Sequence, residues 1–128
     1  MARTIFERLG GFGQVRRIVA TFYDKVTASP SLGRYFEHVD MAALIDHQTK
    51  FVAGVTDGPV ALNDEALRRA HARLGISRAE FAEIVQLLGE ALEEHEVTSD
   101  DIDQILARVQ AREKLIVSEA PVRAAAGG

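Results

Sequence analysis

Apolar side chains recur every three or four residues along most of the chain, which is the spacing of one face of an α-helix. Val15, Ile18, Phe22 and Val26 show this spacing, and no segment of useful length alternates as a β-strand does. The predicted helices run over about 3–9 and about 12–27, and then from Asp40 to Val55, from Asn63 to Leu74, from Ser77 to Leu92 and from Thr98 to Ile116. The chain is therefore predicted to be all-α, with helices packed on helices.

Capping residues mark the starts of these helices. Asp40 and Asn63 have side chains typical of N-caps, and Ser77 begins a capping box. Residues 1–118 are expected to form one domain, because one hydrophobic core can support a chain of that size. Residues 119–128 are rich in alanine and glycine and are expected to form a flexible tail or the start of a linker.

Composition narrows the classes of function. The chain has 128 residues, 47% of them hydrophobic, and a net charge of −4 with acidic and basic residues mixed. A nucleic-acid partner is therefore not expected. No apolar run is long enough to span a membrane, and the first residues lack the apolar stretch of a secretory signal. The absence of cysteine excludes disulfides, thiolate metal sites and cysteine catalysis, and it fits a cytoplasmic location.

Three polar residues interrupt the apolar faces of the predicted helices. Gln48 lies between Leu44 and Phe51 on one stripe, and burying an amide without a partner costs roughly 1–3 kcal/mol. The ring of Tyr23 can be buried while its hydroxyl seeks a polar partner. His71 lies on the apolar side of a short helix. Each has an ordinary explanation, respectively an amide bonded to a nearby carbonyl, a boundary tyrosine and a core histidine.

Together the three residues predict a cavity with a nitrogen ligand on one wall and two hydrogen-bonding groups on another. A haem-bound diatomic gas needs such a cavity, since one imidazole holds the iron and distal donors stabilise the partial negative charge on bound O2. An apolar shell would keep water out, although its members would be core residues in the alternative interpretation. The expected shell consists of Phe22, Phe36, Leu44, Phe51, Leu67, Leu74, Ile76, Phe81, Ile84, Val85 and Leu88.

An ordered set of short motifs resembles the group I truncated haemoglobins from about Thr4 to Val117. Any one motif is weak, but the order and spacing of the set are specific. The absence of tryptophan argues against groups II and III, which carry one in the pocket. The motifs are Leu9-Gly10-Gly11, Phe22-Tyr23, Tyr35-Phe36, Val39-Asp40-Met41, His47-Gln48-x-x-Phe51, Ala70-His71-x-x-Leu74-Gly75-Ile76 and Phe81.

The resemblance implies a truncated globin-like two-over-two helical sandwich around haem b. His71 matches the proximal iron ligand, and Tyr23 and Gln48 match the distal residues that hydrogen-bond a bound ligand. Some cyanobacterial relatives link haem covalently to a histidine of the last helix. Residues 99–118 contain no histidine, so noncovalent haem is expected. The further residues expected to contact haem are Phe36, Leu44, His47, Phe51, Arg68, Leu74, Ile76, Phe81 and Val85.

His47 has three interpretations under this resemblance. In cyanobacterial relatives a histidine at the matching position can bind iron as a sixth ligand, and elsewhere in the family a basic residue there pairs with a haem propionate. A propionate contact or an exposed side chain is the first expectation, and iron ligation is the second. Arg68 is expected either to meet a propionate or to be solvated. Family members usually have Gly-Gly-Pro where this chain has Asp57-Gly58-Pro59, so the backbone is expected to differ there.

The leading functional hypothesis is reversible binding of O2, CO and NO by a monomer or weak dimer. NO dioxygenation is an extension of it that needs a separate reductase. A gas-sensor domain is the main alternative, and it requires the native chain to continue past Gly128 into an output domain. More distant alternatives are a haem-free helical interaction module and a zinc hydrolase built from His38, His47 and His71, where no carboxylate lies at a recognisable ligand spacing.

Overall fold

The helices form close to the predicted places in the part of the chain that the computed structural model describes, residues 3–72 and 74–117. They are α1 (Ile5–Leu9), α2 (Gly11–Ala28), α3 (Met41–Val55), α4 (Asp64–His71), α5 (Arg78–Glu94), α6 (Ser99–Gln110) and α7 (Glu113–Ile116). A 3-10 helix, Gly33–Phe36, lies between α2 and α3. The all-α prediction is confirmed. The predicted tail, residues 119–128, lies outside the described residues.

Side-chain oxygens cap the helices that carry the candidate site. Asp40 accepts a hydrogen bond from a backbone amide in the first turn of α3 at 3.2 Å, and Asn63 does the same for α4 at 3.0 Å. The capping box predicted at Ser77 is also present, because Ser77 and Glu80 accept from each other's backbone amides at 3.0 and 3.1 Å. These three predicted helix starts are therefore confirmed by their hydrogen bonds.

Helix α2 lies at the centre of the packing. It packs against both α3 and α5, and α5 packs in turn against α6. The pairs α2–α3 and α5–α6 agree with the predicted two-over-two arrangement. Among the described residues, no helix is both long and apolar enough to cross a membrane. The most deeply buried large apolar side chains are Val15, Ile18, Val19, Val26, Leu32, Leu92 and Ile105.

The prediction of one continuous last helix is wrong, because the structure divides it into α6 and α7. In a continuing helix the Arg108 carbonyl would accept from the backbone amide of Arg112. Instead, that amide donates to the Val109 carbonyl at 3.0 Å, and the Arg112 guanidinium donates to the Arg108 carbonyl at 2.9 Å. The side chain thus satisfies the carbonyl and lets the backbone turn. Helix α7 is then free to pack against α4.

The turn after α3 is held by an ion pair and by a close backbone approach that only a glycine allows. Arg108 of α6 donates to the carboxylate of Asp57 at 3.0 Å, and Asp57 has a left-handed φ of 68°. The amide of Gly58 donates to the Ala53 carbonyl at 2.7 Å. A Cβ atom on Gly58 would lie 2.8 Å from that same oxygen and 2.8 Å from the Phe6 ring. A side chain at this position would therefore force the turn away from α1 and α3.

Replacing Gly58 with alanine is expected to lower the free energy of unfolding by about 1–3 kcal/mol, since the new methyl group overlaps a backbone oxygen and a buried ring. Gly13→Ala is the matched control, because Gly13 is helical and has open space around it. It is expected to be neutral or to stabilise by up to about 1 kcal/mol. Urea unfolding followed by circular dichroism measures both. A Gly58→Ala protein as stable as the wild type would contradict the packing described for this turn.

Candidate functional site

A cavity of about 450 Å³ lies among α2, α3, α4, α5 and the 3-10 helix, with a largely apolar lining. Its volume is in the range typical of cofactor and small-molecule sites. Its polar lining includes the imidazole of His71, the phenol of Tyr23 and the amide of Gln48. The structure brings most of the predicted site residues to this one cavity. Those that line it are Tyr23, Phe36, Leu44, His47, Gln48, Phe51, His71, Leu74, Ile76 and Phe81.

Arg68 and Val85, both expected to contact haem, stand apart from the lining formed by the described residues. Arg68 is exposed and pairs with Glu65 one turn earlier in α4. Val85 is 8% exposed and belongs to the core, while its neighbour Ile84 and Leu88 of α5 take the places on the cavity. Each helical residue is turned by about 100° from the one before it, so Val85 points past the cavity that Ile84 reaches.

His71 is oriented by its own helix. Its Nδ1 atom lies 2.8 Å from the carbonyl oxygen of Leu67, four residues earlier. A carbonyl oxygen can only accept, so Nδ1 must carry the hydrogen and the neutral ring keeps its lone pair on Nε2. This is the tautomer in which a histidine binds a metal through Nε2 while a backbone carbonyl holds its other nitrogen.

The helix that carries His71 has little packing of its own. None of the eight residues of α4, all of them described, is buried. An ion pair of 3.4 Å between Asp64 and Arg112 ties its first turn to the α6–α7 junction, and the helix packs against α7. Short helices gain most of their stability from tertiary contacts. A group bound in the cavity would supply contacts that α4 otherwise lacks.

Tyr23 and Gln48 form a polar pair inside the cavity. Tyr23 is 6% exposed, and the Gln48 side chain lies close enough to its hydroxyl to affect its pKa. Burial raises the pKa of Tyr23 to about 12, and the neighbouring Gln48 amide opposes this only in part. The phenol therefore keeps its proton at neutral pH and can donate a hydrogen bond. The Tyr23 ring packs edge-to-face against Phe22 at 4.9 Å and Phe36 at 5.7 Å, which limits its rotation.

The other histidines have different surroundings. His47 is exposed on α3 and also lines the cavity, which keeps each of its three interpretations open. His38 is exposed. His95 is half-buried, and its Nε2 atom lies 2.8 Å from Thr21 Oγ1. Within residues 3–72 and 74–117, no three acidic or histidine side chains come together to hold a metal ion, which contradicts the zinc alternative.

Part of the cavity wall was not predicted from the sequence. Ala66 and Ala70 are four residues apart on one face of α4, next to the stripe formed by Leu67 and His71, so helical spacing could have placed them at the cavity. The segment before α4 and the helices α6 and α7 gave no such signal, because the spacing of their apolar residues is that of an ordinary hydrophobic core. The overlooked lining residues are Val19, Val26, Leu32, Tyr35, Val60, Ala61, Leu62, Asn63, Ala66, Ala70, Val109 and Ile116.

Comparison with known proteins agrees with this geometry. Residues 4–118 match the family described as bacterial-like globin. The chain is 30% identical over 108 residues to a group 1 truncated hemoglobin of Synechocystis, covering 81% of this chain and 87% of that protein. It is 29% identical over 102 residues to a group 1 truncated hemoglobin of Tetrahymena pyriformis, covering 80% and 84% respectively.

Solved structures show the same likeness. The truncated hemoglobin of Tetrahymena pyriformis in its Fe(III) form superposes with a TM-score of 0.83 at 26% identity, over 91% of this chain and all (100%) of that one. The 2/2 hemoglobin of Synechococcus, in the cyanomet state and with covalently attached heme, gives 0.80 at 30% identity, over 89% and 98%. The cavity, the family match and these relatives lead to one conclusion: the chain belongs to the bacterial-like globins and, within them, to the group 1 truncated haemoglobins.

Proposed function

We propose that this chain binds haem b noncovalently and binds O2 reversibly, with CO and NO as further ligands. Membership of the globin family implies haem binding and gas binding. The observation that carries the proposal for this chain is that the His71 imidazole and the Tyr23–Gln48 pair line one apolar cavity. The test is the absorption spectrum of the ferric and ferrous protein with and without CO. A chain that shows no Soret band after addition of haemin contradicts the proposal.

The donor set in the cavity fits haem. His71 offers an Nε2 lone pair, because its Nδ1 hydrogen is engaged by the Leu67 carbonyl. The lining is apolar apart from a few polar groups, which suits a porphyrin with a polar edge. When bound, haem supplies an iron atom with a coordination position open to a diatomic gas.

The protein residues have separate roles in this proposal. Nε2 of His71 holds the cofactor, and the Leu67 carbonyl fixes the direction of the imidazole. The protonated phenol of Tyr23 donates a hydrogen bond to the gas, and Gln48 holds that phenol in place. Apolar neighbours such as Phe36 and Phe51 exclude water and thereby slow oxidation of the iron.

Noncovalent attachment is supported by the residues of the last helices. The Synechococcus hemoglobin was solved with covalently attached heme. Neither α6 nor α7 of this chain contains a histidine. Extraction into acidified organic solvent is expected to remove the haem completely and to leave a polypeptide of unmodified mass. A mass increased by one haem would contradict noncovalent binding.

His47→Leu is expected to change the ferric spectrum of the haem-loaded protein. His47 is exposed but also lines the cavity, so its imidazole can pair with a haem propionate or, in a fraction of molecules, bind the iron. Loss of a sixth nitrogen ligand would reduce the low-spin bands. His38→Leu, which changes an exposed histidine outside the lining, is the control. Identical ferric spectra for wild type and His47→Leu would rule out iron ligation by His47.

NO dioxygenation is a second candidate activity, favoured by the polar pair that would hold O2. The reaction joins NO and O2 with one electron to give nitrate, and the electron must come from a separate reductase. Tyr23 and Gln48 would retain O2 until NO arrives. Mixing the O2-loaded protein with NO and measuring nitrate tests this activity. Failure to form nitrate rapidly removes the enzymatic role and leaves gas binding intact.

A further inference from the structure

Tyr35 joins two segments that border the cavity. It lies in the 3-10 helix next to Phe36, and its side chain lines the cavity. Its hydroxyl donates to Glu80 Oε1 of α5 at 2.8 Å and lies 3.5 Å from the carbonyl oxygen of Gly75. Gly75 belongs to the loop that follows the helix of His71. One hydroxyl therefore contacts both α5 and the loop that follows α4.

The Glu80 carboxylate that receives this bond is itself held in place. Its Oε1 atom accepts from the backbone amide of Ser77 at 3.0 Å, as part of the capping box. Its Oε2 atom accepts from the Arg34 guanidinium at 2.8 Å, and that guanidinium lies 4.3 Å above the Tyr35 ring. A carboxylate with both oxygens engaged has little freedom to move. The acceptor for Tyr35 is therefore preorganised.

Aromatic contacts connect Tyr35 to the polar pair of the gas site. The Tyr35 and Phe36 rings meet edge-to-face at 6.5 Å, and Phe36 meets Tyr23 in the same way at 5.7 Å. Such contacts depend on ring position. If the 3-10 helix moved away from α5, Phe36 would no longer limit the rotation of the Tyr23 ring.

A second contact with α5 holds the beginning of the same segment. Ser29 donates to Glu83 Oε2 at 2.6 Å, and Ser31 also donates to the Glu83 carboxylate. Removing the Tyr35 hydroxyl would leave this anchor and the Glu80 capping box intact. The segment would stay attached to α5 through Ser29, Ser31 and the Arg34–Glu80 ion pair, while Phe36, which follows Tyr35, would be less constrained.

We propose that Tyr35 is a positioning residue of the gas site. Its hydroxyl bond to Glu80 holds Phe36 against Tyr23 and thereby fixes the direction of the Tyr23 hydroxyl. This inference rests on the haem site proposed above. The Tyr23–Gln48 pair would contact the gas, whereas Tyr35 would act from outside that pair.

The experiment compares Tyr35→Phe, Glu80→Gln and Glu94→Gln with the wild type, all loaded with haem. Tyr35→Phe is expected to raise the O2 dissociation rate by roughly 3–10-fold, because the hydrogen bond from Tyr23 is misdirected but not removed. Glu80→Gln keeps an acceptor for Tyr35 and for the capping box, so its rate is expected to stay within about twofold of the wild type. Glu94→Gln removes an ion pair between α5 and Lys25 and controls for general destabilisation.

Two spectroscopic readouts separate positioning from stability. The C–O stretching frequency of the CO-loaded protein is expected to rise in Tyr35→Phe, as it does when hydrogen-bond donation weakens. The chain has two tyrosines, so ring-labelled tyrosine gives two assignable NMR signals, and the Tyr23 signal is expected to move in Tyr35→Phe. It should stay in place in Glu94→Gln.

Two outcomes would overturn the role of Tyr35. One is a Tyr35→Phe protein with wild-type frequency, Tyr23 signal and O2 dissociation rate. The other is an equal change in Glu94→Gln, which would indicate loss of stability alone. A wild-type chain that takes up no haem contradicts the haem site itself, so the two failures are distinguishable.

Discussion

Replacing His71 with alanine is expected to lower the affinity of the chain for haemin by at least about 100-fold. Loss of a residue that only orients a metal ligand typically reduces affinity by about 10–100-fold, so loss of the ligand itself should exceed that range. Titration of haemin followed at the Soret band measures the affinity. His71→Gly offers a sharper form of the test, because added imidazole is expected to restore the band by entering the space of the missing ring.

His38→Ala is the matched control for this prediction, since His38 is an exposed histidine outside the cavity lining. Its affinity for haemin should equal that of the wild type. A Soret band that keeps its position and intensity in His71→Ala would show that another residue holds the iron, and a haem-free helical module would then regain support. Unchanged far-ultraviolet circular dichroism would confirm that the variant is folded.

Tyr23→Phe is expected to raise the O2 dissociation rate by about 10–100-fold. A hydrogen bond to a group with negative charge contributes about 1.5–3 kcal/mol, and the phenylalanine ring keeps the packing against Phe22 and Phe36. The rate is measured by stopped-flow mixing of the O2-loaded protein with CO or a scavenger. The dissociation rate of CO, which carries less negative charge, should change far less and serves as the internal control.

Gln48→Leu and the double variant extend this experiment. Because the Tyr23 phenol and the Gln48 amide are neighbours in one cavity and interact, their effects on O2 dissociation are expected to be non-additive. The double variant should resemble Tyr23→Phe. Equal O2 dissociation rates in wild type and Tyr23→Phe would contradict the proposed role of the phenol, whatever the effect of Gln48→Leu.

Local signals in the sequence predicted most of the secondary structure. Apolar spacing located α2 and α5, and the side chains of Asp40, Asn63 and Ser77 located three helix starts, because a cap acts within one turn of its own helix. The candidate site could be predicted from the sequence for a related reason. His71, Tyr23 and Gln48 are polar residues on apolar faces, and such local inconsistencies tend to mark functional positions.

Contacts between distant residues were not predictable in this way. Arg8 donates to both oxygens of the buried Asp101, 93 positions later, at 3.0 and 2.7 Å, and this pairing holds the pKa of that carboxyl below its ordinary value. No spacing rule links two such residues. The Tyr35–Glu80 bond and the break before α7 depend on similar long-range or side-chain bonds. Arg68, expected either to meet a propionate or to be solvated, is exposed and pairs with Glu65, a contact that its position in the sequence does not reveal.

The sparse packing of α4 links retention of the cofactor to folding of one segment. A helix without buried side chains opens at a lower free energy than the core, and its backbone amides should exchange hydrogen with solvent sooner. A group that binds only the closed form adds stability that grows with its concentration, roughly 4 kcal/mol at 1,000 times its dissociation constant. Release of haem would then favour local unfolding of α4 around His71, and that unfolding would in turn favour release of haem.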